Sequence, residues 1–366
     1  MHRVVIDARE SGTSTGRYID KLIENLHSLK TDIEFSILAK SSRVEFFKKT
    51  SPNFKIIRCD IQEFSFAEQY RFVWKLYGIK NDLVHFGMIQ QPVLYFGSKV
   101  TTIHDLTTAR FDNPSKFWPL FKLKQIVYRW VIKRVAKKSQ YIITPSDYVK
   151  QDVAQYARID PQKIFVTYEA ADKITTESKP LKSLADQKFL LYVGRVQPHK
   201  NLERLLLAYR EVLTQQPELK LVLAGKKDIL YHRLQKKTHK LGLDGVIFTD
   251  FVTEGQLRWL YEHCAAYVFP SLSEGFGLPP LEAMTHGAPV ISSDATCLPE
   301  INGDAALYFN PKDTDDMAAR INQLLSDEKL RAKLVAAGKK QASTYSWRRM
   351  AEQTLDVYQK ALAKNT

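Results

Sequence analysis

The chain has 366 residues and a mass of 42.1 kDa, with 44% hydrophobic and 26% charged residues. This composition is typical of globular proteins and excludes a disordered chain, a collagen-like repeat and a small disulfide scaffold, while the length favours two domains. The formal net charge is +14, and residues 1–180 hold 29 Lys and Arg against 19 Asp and Glu. The positive charge favours an anionic partner: a nucleotide, a nucleic acid or an acidic membrane surface.

The cysteines and the N-terminus indicate where the protein works. Cys59, Cys264 and Cys297 are odd in number, widely spaced and free of any C-x-x-C pattern, which argues against structural zinc and for a reducing compartment. The first apolar run is too short for a signal peptide, and no run of eighteen apolar residues predicts a membrane span. We therefore expect a cytoplasmic protein.

Short β-branched runs alternate with amphipathic stretches along the chain, which predicts an α/β fold. In the first half, a helix is predicted at residues 16–29 and strands at 3–7, 33–38, 82–86, 100–103 and 141–144. After a polar break at 175–180, strands are predicted at 189–194, 219–225, 246–249, 266–269 and 289–292. The alternation predicts two doubly wound, Rossmann-like domains with parallel sheets facing across a cleft, where ligands would bind at the carboxyl ends of the strands.

The strongest motif covers residues 270–284, which read PSLSEGFGLPPLEAM. It predicts a strand, a loop with Gly275 and Gly277, and a helix that starts at the proline pair. The glycines let backbone N–H groups approach a ligand, and the N-terminus of the helix favours an anion. Glu274 and Glu282 flank this position, and a carboxylate can accept two hydrogen bonds from a vicinal diol. The segment therefore predicts a site for a phosphate and two sugar rings.

This segment resembles the E-x7-E signature of the retaining glycosyltransferases of family 4, which have the two-domain GT-B fold. Other stretches resemble that family in the same order along the chain: HD at 104–105, PSDYV at 145–149, YVGRVQPHKN at 192–201 and GDAALY at 303–308. The resemblance covers nearly the whole chain.

The resemblance also implies a division of the chain into domains. An acceptor-side domain would span residues 1–172, and a nucleotide-sugar-binding domain would span residues 173–346. A C-terminal helix at residues 347–366 would pack back onto the first domain.

The matching residues receive roles from the resemblance. Arg195 ends a strand and Lys200 is expected to open the next helix, where both would neutralise the leaving diphosphate. Glu282 would bind the ribose hydroxyls, and Glu274 would bind hydroxyls of the donor sugar. Further donor-binding positions are Gly16, Gly194, Gly275, Phe276, Gly277 and Leu278.

The first domain contributes the other catalytic candidates. The resemblance places His104 beside the donor sugar, near the anomeric centre. Asp105 would either orient the site or cap the following turn. Together with Glu274, these residues form the predicted catalytic set.

Two segments depart from the family pattern. The loop after the first strand reads SGTSTGR at residues 11–17 and is not the G-x-G-x-x-G of dinucleotide-binding proteins. Gly16 there could admit a phosphate or acceptor, or belong to a plain strand–helix turn. At residues 168–172 the chain reads YEAAD where relatives often have NGVD, which leaves the local geometry near Glu169 open.

The combined motifs predict a metal-independent, retaining hexosyltransferase without a cofactor. It would move a hexose from a nucleotide-diphosphate sugar to a hydroxyl of a glycan or lipid-linked acceptor, in the synthesis of cell-surface polysaccharide or glycolipid. Residues 101–111 resemble mannosyltransferases, which favours GDP-mannose over UDP-glucose or a UDP-amino sugar. No convincing D-x-D metal motif is present, because the acidic run at 313–316 is better interpreted as a helix start.

Rival functions remain open from the sequence. A sugar phosphorylase or nucleotide-sugar epimerase could use the same fold. A non-catalytic protein that binds an anionic ligand or nucleic acid would fit the charge, but no zinc-finger, K-homology or RNA-recognition signature supports nucleic acid as a partner.

Residues 116–138 contain eight Lys or Arg and no Asp or Glu, and they predict a basic amphipathic helix. The predicted basic face holds Lys122, Arg129, Lys133 and Lys137. The predicted apolar side holds Leu120, Val127, Val131 and Val135, with Phe121, Tyr128 and Ile132 beside them. The helix would cover the first sheet with a solvated basic face, or rest that face on an anionic membrane with Trp118 and Trp130 at the interface, which would make the protein peripheral on the inner face of the plasma membrane.

Overall fold

The computed structural model describes residues 1–13, 15–112 and 118–364. The chain forms two compact units. The first comprises Met1–Ala109, Lys122–Glu169 and Ser346–Thr366, and the second comprises Arg110–Phe121 and Ala170–Tyr345.

The first unit is built on a seven-stranded sheet with the order β3-β2-β1-β4-β5-β6-β7, in which all neighbouring strands are parallel. Its strands are β1 Arg3–Asp7, β2 Glu34–Ala39, β3 Lys55–Arg58, β4 Leu83–Phe86, β5 Lys99–Thr102, β6 Tyr141–Thr144 and β7 Ile164–Val166. Its helices are α1 Arg17–His27, α2 Val44–Thr50, α3 Val73–Gly78 with a preceding π-helical turn Glu68–Phe72, α4 Thr107–Arg110, α5 Trp118–Lys138, α6 Asp147–Ala157 and the C-terminal α14 Trp347–Ala363.

The second unit has a six-stranded parallel sheet with the order β10-β9-β8-β11-β12-β13. Its strands are β8 Phe189–Val193, β9 Lys220–Ala224, β10 Val246–Asp250, β11 Ala266–Phe269, β12 Val290–Ser293 and β13 Ala306–Phe309. Its helices are α7 Leu202–Leu213, α8 Ile229–Lys240, α9 Glu254–His263, α10 Leu278–Thr285, α11 Leu298–Asn302, α12 Thr314–Ser326 and α13 Glu328–Ser343.

The prediction of two doubly wound parallel α/β domains is confirmed. The strands absent from the prediction are β3, β7 and β13, and each lies at an edge of its sheet. An edge strand is covered less completely than a central one, so its hydrophobic run is shorter and mixed with polar residues. The acidic run at 313–316 does start a helix, because the side chain of Asp313 caps α12 by accepting from the backbone N–H groups of Asp315 and Asp316.

Helix α14 belongs to the first unit, where it packs against α1. Its buried face includes Met350 and Tyr358, and the Tyr358 hydroxyl lies 2.6 Å from Nδ1 of His85 on β4. The last helix of the chain is thereby fastened to the middle of the first sheet.

Helix α5 is apolar on two opposite faces, which corrects the predicted pattern. Its inner face carries Phe121, Gln125, Ile132, Val135 and Ala136, all buried. Its outer face carries an exposed apolar row, which we call the α5 stripe: Leu123, Ile126, Val127 and Trp130, each at least half exposed.

Two positions of the helix differ from the prediction, and three further predicted positions cannot be compared with it. Val127 was predicted to face inward and is 52% exposed. Arg129 was predicted on a free basic face, but its Nε donates to the carbonyl oxygen of Ala109 at 2.9 Å. Lys116 and the side chains of Trp118 and Leu120 lie outside the described residues. In the part of the chain that the structure describes, no helix is long and apolar enough to cross a bilayer.

Candidate active site

The strand order of the second sheet reverses between β8 and β11, which are neighbours in space but are separated in the sequence by β9 and β10. Ligands in open parallel sheets bind at such a switch point, outside the carboxyl ends of the strands. Gly194 and Arg195 directly follow β8, and the loop from Glu274 to Leu278 lies beyond the end of β11. The topology therefore brings the two donor-binding motifs of the sequence to one place.

Lys200 does not open a helix, contrary to the sequence prediction. It ends a single 3-10 turn, Pro198–Lys200, and α7 begins two residues later, after Asn201 in a left-handed conformation with φ of 60°. The buried Asn201 side chain donates to the carbonyl oxygens of Pro270 and Pro311 at 3.0 and 2.7 Å. These bonds fasten the turn to the strand end that leads into the signature loop.

This turn places Lys200 against the first signature glutamate. Its Nζ lies 2.5 Å from Oε1 of Glu274, and both side chains are largely buried. Arg195, on the neighbouring strand end, is exposed. A positive charge and a carboxylate therefore lie side by side, an arrangement that adjacent phosphate and sugar subsites would require.

The second signature glutamate lies one helix turn into α10. This helix begins at Leu278, with the proline pair in its first turn, as predicted. Oε2 of Glu282 accepts a hydrogen bond of 3.3 Å from the hydroxyl of Tyr261. Burial raises the pKa of Tyr261 far above its usual range, and the nearby carboxylate raises it further, so the phenol is a neutral donor.

In the second unit, Gly277 and Gly194 each combine a positive φ with a close neighbour at the position of a Cβ. Gly277 has φ of 93°, and a Cβ there would lie 2.8 Å from Cδ2 of Leu298. Gly194 has φ of 150°, with the Tyr192 hydroxyl 2.8 Å from the position of a Cβ. Phe276 packs edge-on against Tyr345 at 5.4 Å, which holds the loop down. At Gly277 and Gly194 the backbone conformation and the neighbouring side chains therefore both favour glycine.

In the first unit, Gly16 and Asp105 have clear structural roles. Gly16 precedes α1, and a Cβ would lie 1.8 Å from the carbonyl oxygen of Glu10, so backbone crowding alone requires glycine. Asp105 Oδ1 accepts from the N–H of Thr107 at 2.7 Å, so Asp105 caps the turn that begins α4. Of the two roles left open for Asp105, the structure displays the cap.

His104 follows β5 of the first sheet and lies between the ends of β5 and β4, one strand away from the switch point between β1 and β4. Its Nε2 is 3.0 Å from the carbonyl oxygen of Gly87, and its Nδ1 is 3.1 Å from Oε1 of Glu169. Tyr18 of α1 packs edge-on against the ring at 4.8 Å. Burial lowers the pKa of His104, but the hydrogen bond and charge of Glu169 outweigh it, so the pKa is raised.

Sequence reasoning missed three residues that contact the candidate residues: Glu169 and Tyr18 in the first unit and Tyr261 in the second. Glu169 was noted only as a departure from the family, and Tyr18 and Tyr261 were not singled out. Glu169 follows β7 and Tyr261 lies on α9, so neither is near its partner in sequence. Within the described residues, the structure has no group of three or more His, Cys, Asp or Glu side chains arranged to hold a metal ion.

Comparison with known proteins agrees with this geometry. Residues 15–173 match the family model Glycosyltransferase Family 4, and residues 173–341 match Glycosyl transferases group 1. The chain is similar to O-antigen chain mannosyltransferase B of Escherichia coli, with 29% identity over 81% of this chain and 79% of that protein. It is also similar to O-antigen chain mannosyltransferase RfbU of Salmonella typhimurium, with 27% identity over 86% and 88%.

Solved structures show the same fold at lower identity. Sucrose-phosphate synthase from Thermosynechococcus elongatus has a TM-score of 0.76 at 19% identity, with both chains fully covered. WaaG, a glycosyltransferase involved in lipopolysaccharide biosynthesis, has a TM-score of 0.73 at 15% identity and covers 97% of this chain and 99% of its own. The fold is therefore GT-B, and the chain belongs to the group 1 family of glycosyltransferases.

Proposed function

We propose that this enzyme transfers mannose from GDP-mannose, with retention of configuration, to a hydroxyl of a glycan or lipid-linked acceptor in cell-surface polysaccharide synthesis. The observation that carries the proposal is the pairing of Lys200 with Glu274 at the switch point of the second sheet, with Glu282 on the helix that follows. The names of the O-antigen relatives support mannose as the sugar.

In the proposed reaction, the acceptor hydroxyl attacks the anomeric carbon on the face from which the diphosphate leaves. The bond from the anomeric carbon to the diphosphate oxygen breaks, and the hydroxyl proton passes to the departing phosphate. Lys200 would exchange part of its contact with Glu274 for a phosphate oxygen, and Arg195 would add a second positive charge as charge develops there. We propose that these groups do the work of a metal ion and that no cofactor takes part, so activity should survive EDTA.

A thermal-shift screen with GDP, UDP, ADP and their sugars tests the donor. Because a ligand that binds only the native state stabilises it by about 2.7 kcal/mol at one hundred times its Kd, the true donor should raise the Tm measurably. We expect GDP-mannose to give the largest shift, and mass spectrometry of an incubated acceptor extract should find an added hexose. A Tm shift with UDP-glucose or a UDP-amino sugar, and none with GDP-mannose, would change the assigned donor but leave the assignment as a glycosyltransferase intact.

Two other outcomes would point to another class of protein. Release of nucleotide from donor only when inorganic phosphate is present would indicate a phosphorylase. Salt-sensitive binding to random DNA, without any nucleotide-sugar response, would indicate a nucleic-acid-binding protein. The paired side chains of Lys200 and Glu274 argue against the nucleic-acid alternative, because a carboxylate beside the lysine would repel a phosphate backbone.

We also propose that the first unit rests on an anionic membrane, which would place it beside a lipid-linked acceptor at the cytoplasmic face. The α5 stripe is apolar and exposed, and Lys124, Lys133 and Lys137 are exposed along the same helix. Apolar side chains ringed by lysine are what an interfacial helix presents to lipid headgroups.

A second exposed apolar surface lies on the same unit. Tyr70, Trp74 and Tyr77 share one helical face, and Trp74 is 76% exposed. Phe96, 68% exposed, is tied to this face by its N–H, which donates to the Tyr77 hydroxyl at 3.0 Å. Aromatic residues with a polar end are favoured at the membrane–water interface. The second unit exposes fewer large apolar side chains within its described part, so the first unit is the one expected to meet lipid.

A further inference from the structure

The histidine of the first unit is placed between two hydrogen-bond acceptors. The Gly87 carbonyl can only accept, so Nε2 of His104 must carry a hydrogen. A neutral imidazole carries one hydrogen, and its second nitrogen would then direct a lone pair at the Glu169 carboxylate. The contact of 3.1 Å between Nδ1 and Oε1 is favourable only when a second proton lies between these atoms.

The groups around the ring favour that second proton. Glu169 and Asp105 both raise the pKa of His104, and Tyr18 is kept neutral by burial. His85 on β4, whose charge would act on that of His104, has its pKa lowered to about 3 by burial, so it is neutral and adds no competing positive charge. Burial of His104 itself opposes the imidazolium.

The carboxylate is held as firmly as the ring. The Glu169 side chain is 9% exposed, and Glu169 is the last residue of the first unit before the chain enters the second.

We propose that Glu169 is a positioning residue that keeps His104 as an imidazolium with a fixed ring. His104 then acts as a fixed positive charge beside the reacting sugar and does not accept the acceptor's proton, because both ring nitrogens already hold hydrogens, which they donate to Gly87 and Glu169. The role in transfer rests on the proposed function, whereas the protonation state of the pair does not.

NMR titration of the imidazole C–H signals tests the protonation state without any substrate. His104→Gln assigns the signal, and Glu169→Gln removes the charge while its amide can still donate to Nδ1 of a neutral ring. We expect His104 in the wild type to titrate above an ordinary histidine and in Glu169→Gln to titrate at lower pH. Glu177→Gln is the matched control, because it removes an exposed carboxylate and should leave the titration unchanged.

A wild-type midpoint at or below that of an ordinary histidine would overturn the proposal, and so would equal midpoints in the wild type and Glu169→Gln. If Glu169→Gln fails to fold, the wild-type midpoint alone decides, and Glu169→Asp should keep a raised value. None of these readouts needs activity, so a wrong donor or acceptor does not affect them.

Transfer kinetics test the positioning role. The rate of Glu169→Gln should fall as pH rises through its lowered histidine midpoint and should recover at acid pH, whereas the wild type keeps its rate to higher pH. A merely structural role for Glu169 would lower kcat by the same factor at every pH, and that result would contradict the proposal.

Discussion

The two signature glutamates are held by different neighbours. Glu274 is paired with a cation, Lys200, whereas Glu282 accepts from a neutral phenol, Tyr261. The first carboxylate thus contacts the group expected to bind the diphosphate, whereas the second contacts a tyrosine for which no role in donor binding is proposed. Their removal should therefore affect the enzyme in different ways.

Glu282→Ala should weaken nucleotide-sugar binding by about 1–3 kcal/mol, because ribose hydroxyls lose their acceptor. Glu274→Ala should instead lower kcat more than it raises the donor's Kd, since it releases Lys200 from its pair and removes a contact to the reacting sugar. Calorimetry with donor and steady-state kinetics would measure the two effects. Tyr261→Phe should weaken donor binding less than Glu282→Ala, and wild-type behaviour of both glutamate variants would refute the site.

Gly277→Ala separates backbone strain from crowding at the loop. Its φ of 93° and the Leu298 methyl 2.8 Å from the new Cβ should lower both stability and donor affinity. Gly242→Ala is the control, because its φ of 64° is also positive but a Cβ there meets nothing within 4 Å. We expect Gly242→Ala to cost about 1 kcal/mol of stability and no affinity, and an equal loss of affinity in both variants would contradict the crowding argument.

His85 should make the stability of the first unit fall at acid pH. Burial lowers its pKa in the native state to about 3, against about 6.5 in the unfolded chain. Between these values the unfolded state binds a proton that the native state does not. The free energy of unfolding should thus decrease by up to about 1.4 kcal/mol per pH unit as pH falls below 6.5.

Urea unfolding at several pH values between 7 and 4, followed by a probe in the first unit, measures this slope. His85→Asn should flatten it even if it lowers stability overall, and His239→Asn, at an exposed position of α8, should leave it unchanged. An unaltered slope in His85→Asn would mean that carboxylates alone cause the acid sensitivity.

Among the elements, α14 is the one whose place depends most on distant residues. Deleting residues 350–366 should expose the apolar face of α1 and free His85, because α14 packs on both. Faster hydrogen exchange of the β4 and β5 amides would report this, and deletion of residues 364–366 serves as the control. Tyr358→Phe should cost about 1 kcal/mol, the value of one hydrogen bond, and exchange unchanged by the long deletion would contradict the role of α14.

Helix α5 covers one side of the first sheet and still exposes apolar surface. Its inner row packs with the cluster that contains Ile142 of β6 and Val153 of α6. The α5 stripe is on the opposite side, and it includes Trp130, over which Arg134 lies at 5.6 Å. One helix therefore covers the core and presents a separate apolar surface to its surroundings.

Because of the exposed α5 stripe and the lysines on the same helix, the whole protein is predicted to bind anionic vesicles in a salt-sensitive way. Changing the four residues of the α5 stripe to Ser should reduce co-sedimentation at every salt concentration, since apolar burial is not screened. Changing Lys124, Lys133 and Lys137 to Glu should reduce it mainly at low salt. Ile229 and Phe251, exposed on the second unit and changed to Ser, form the control; absence of wild-type binding to anionic vesicles at low salt would refute the membrane proposal.

The sequence by itself determined the parallel α/β class, the central strands and the donor-side motif, because each depends on residues close together in the chain. Ten alternating strands and the loop at 270–284 are local patterns: a buried strand needs a continuous apolar run, and a helix start needs its proline and its preceding glycine. The resemblance to the family added the expected roles of the site residues, and this resemblance also depends on contiguous stretches of sequence.

Only the tertiary structure decided which faces and partners these elements have. The pairing of His104 with Glu169 joins residues 65 positions apart, and that of Lys200 with Glu274 joins residues 74 apart, so no periodicity could indicate either. The sequence could not predict that the α5 stripe faces outward either. A helix with apolar rows on both sides has no preferred inner face, and only its packing against α4, β6 and α6 decides which row is buried. Local patterns determine what an element is, whereas contacts between distant segments determine what it touches, and the chemistry proposed for each unit depends on those contacts.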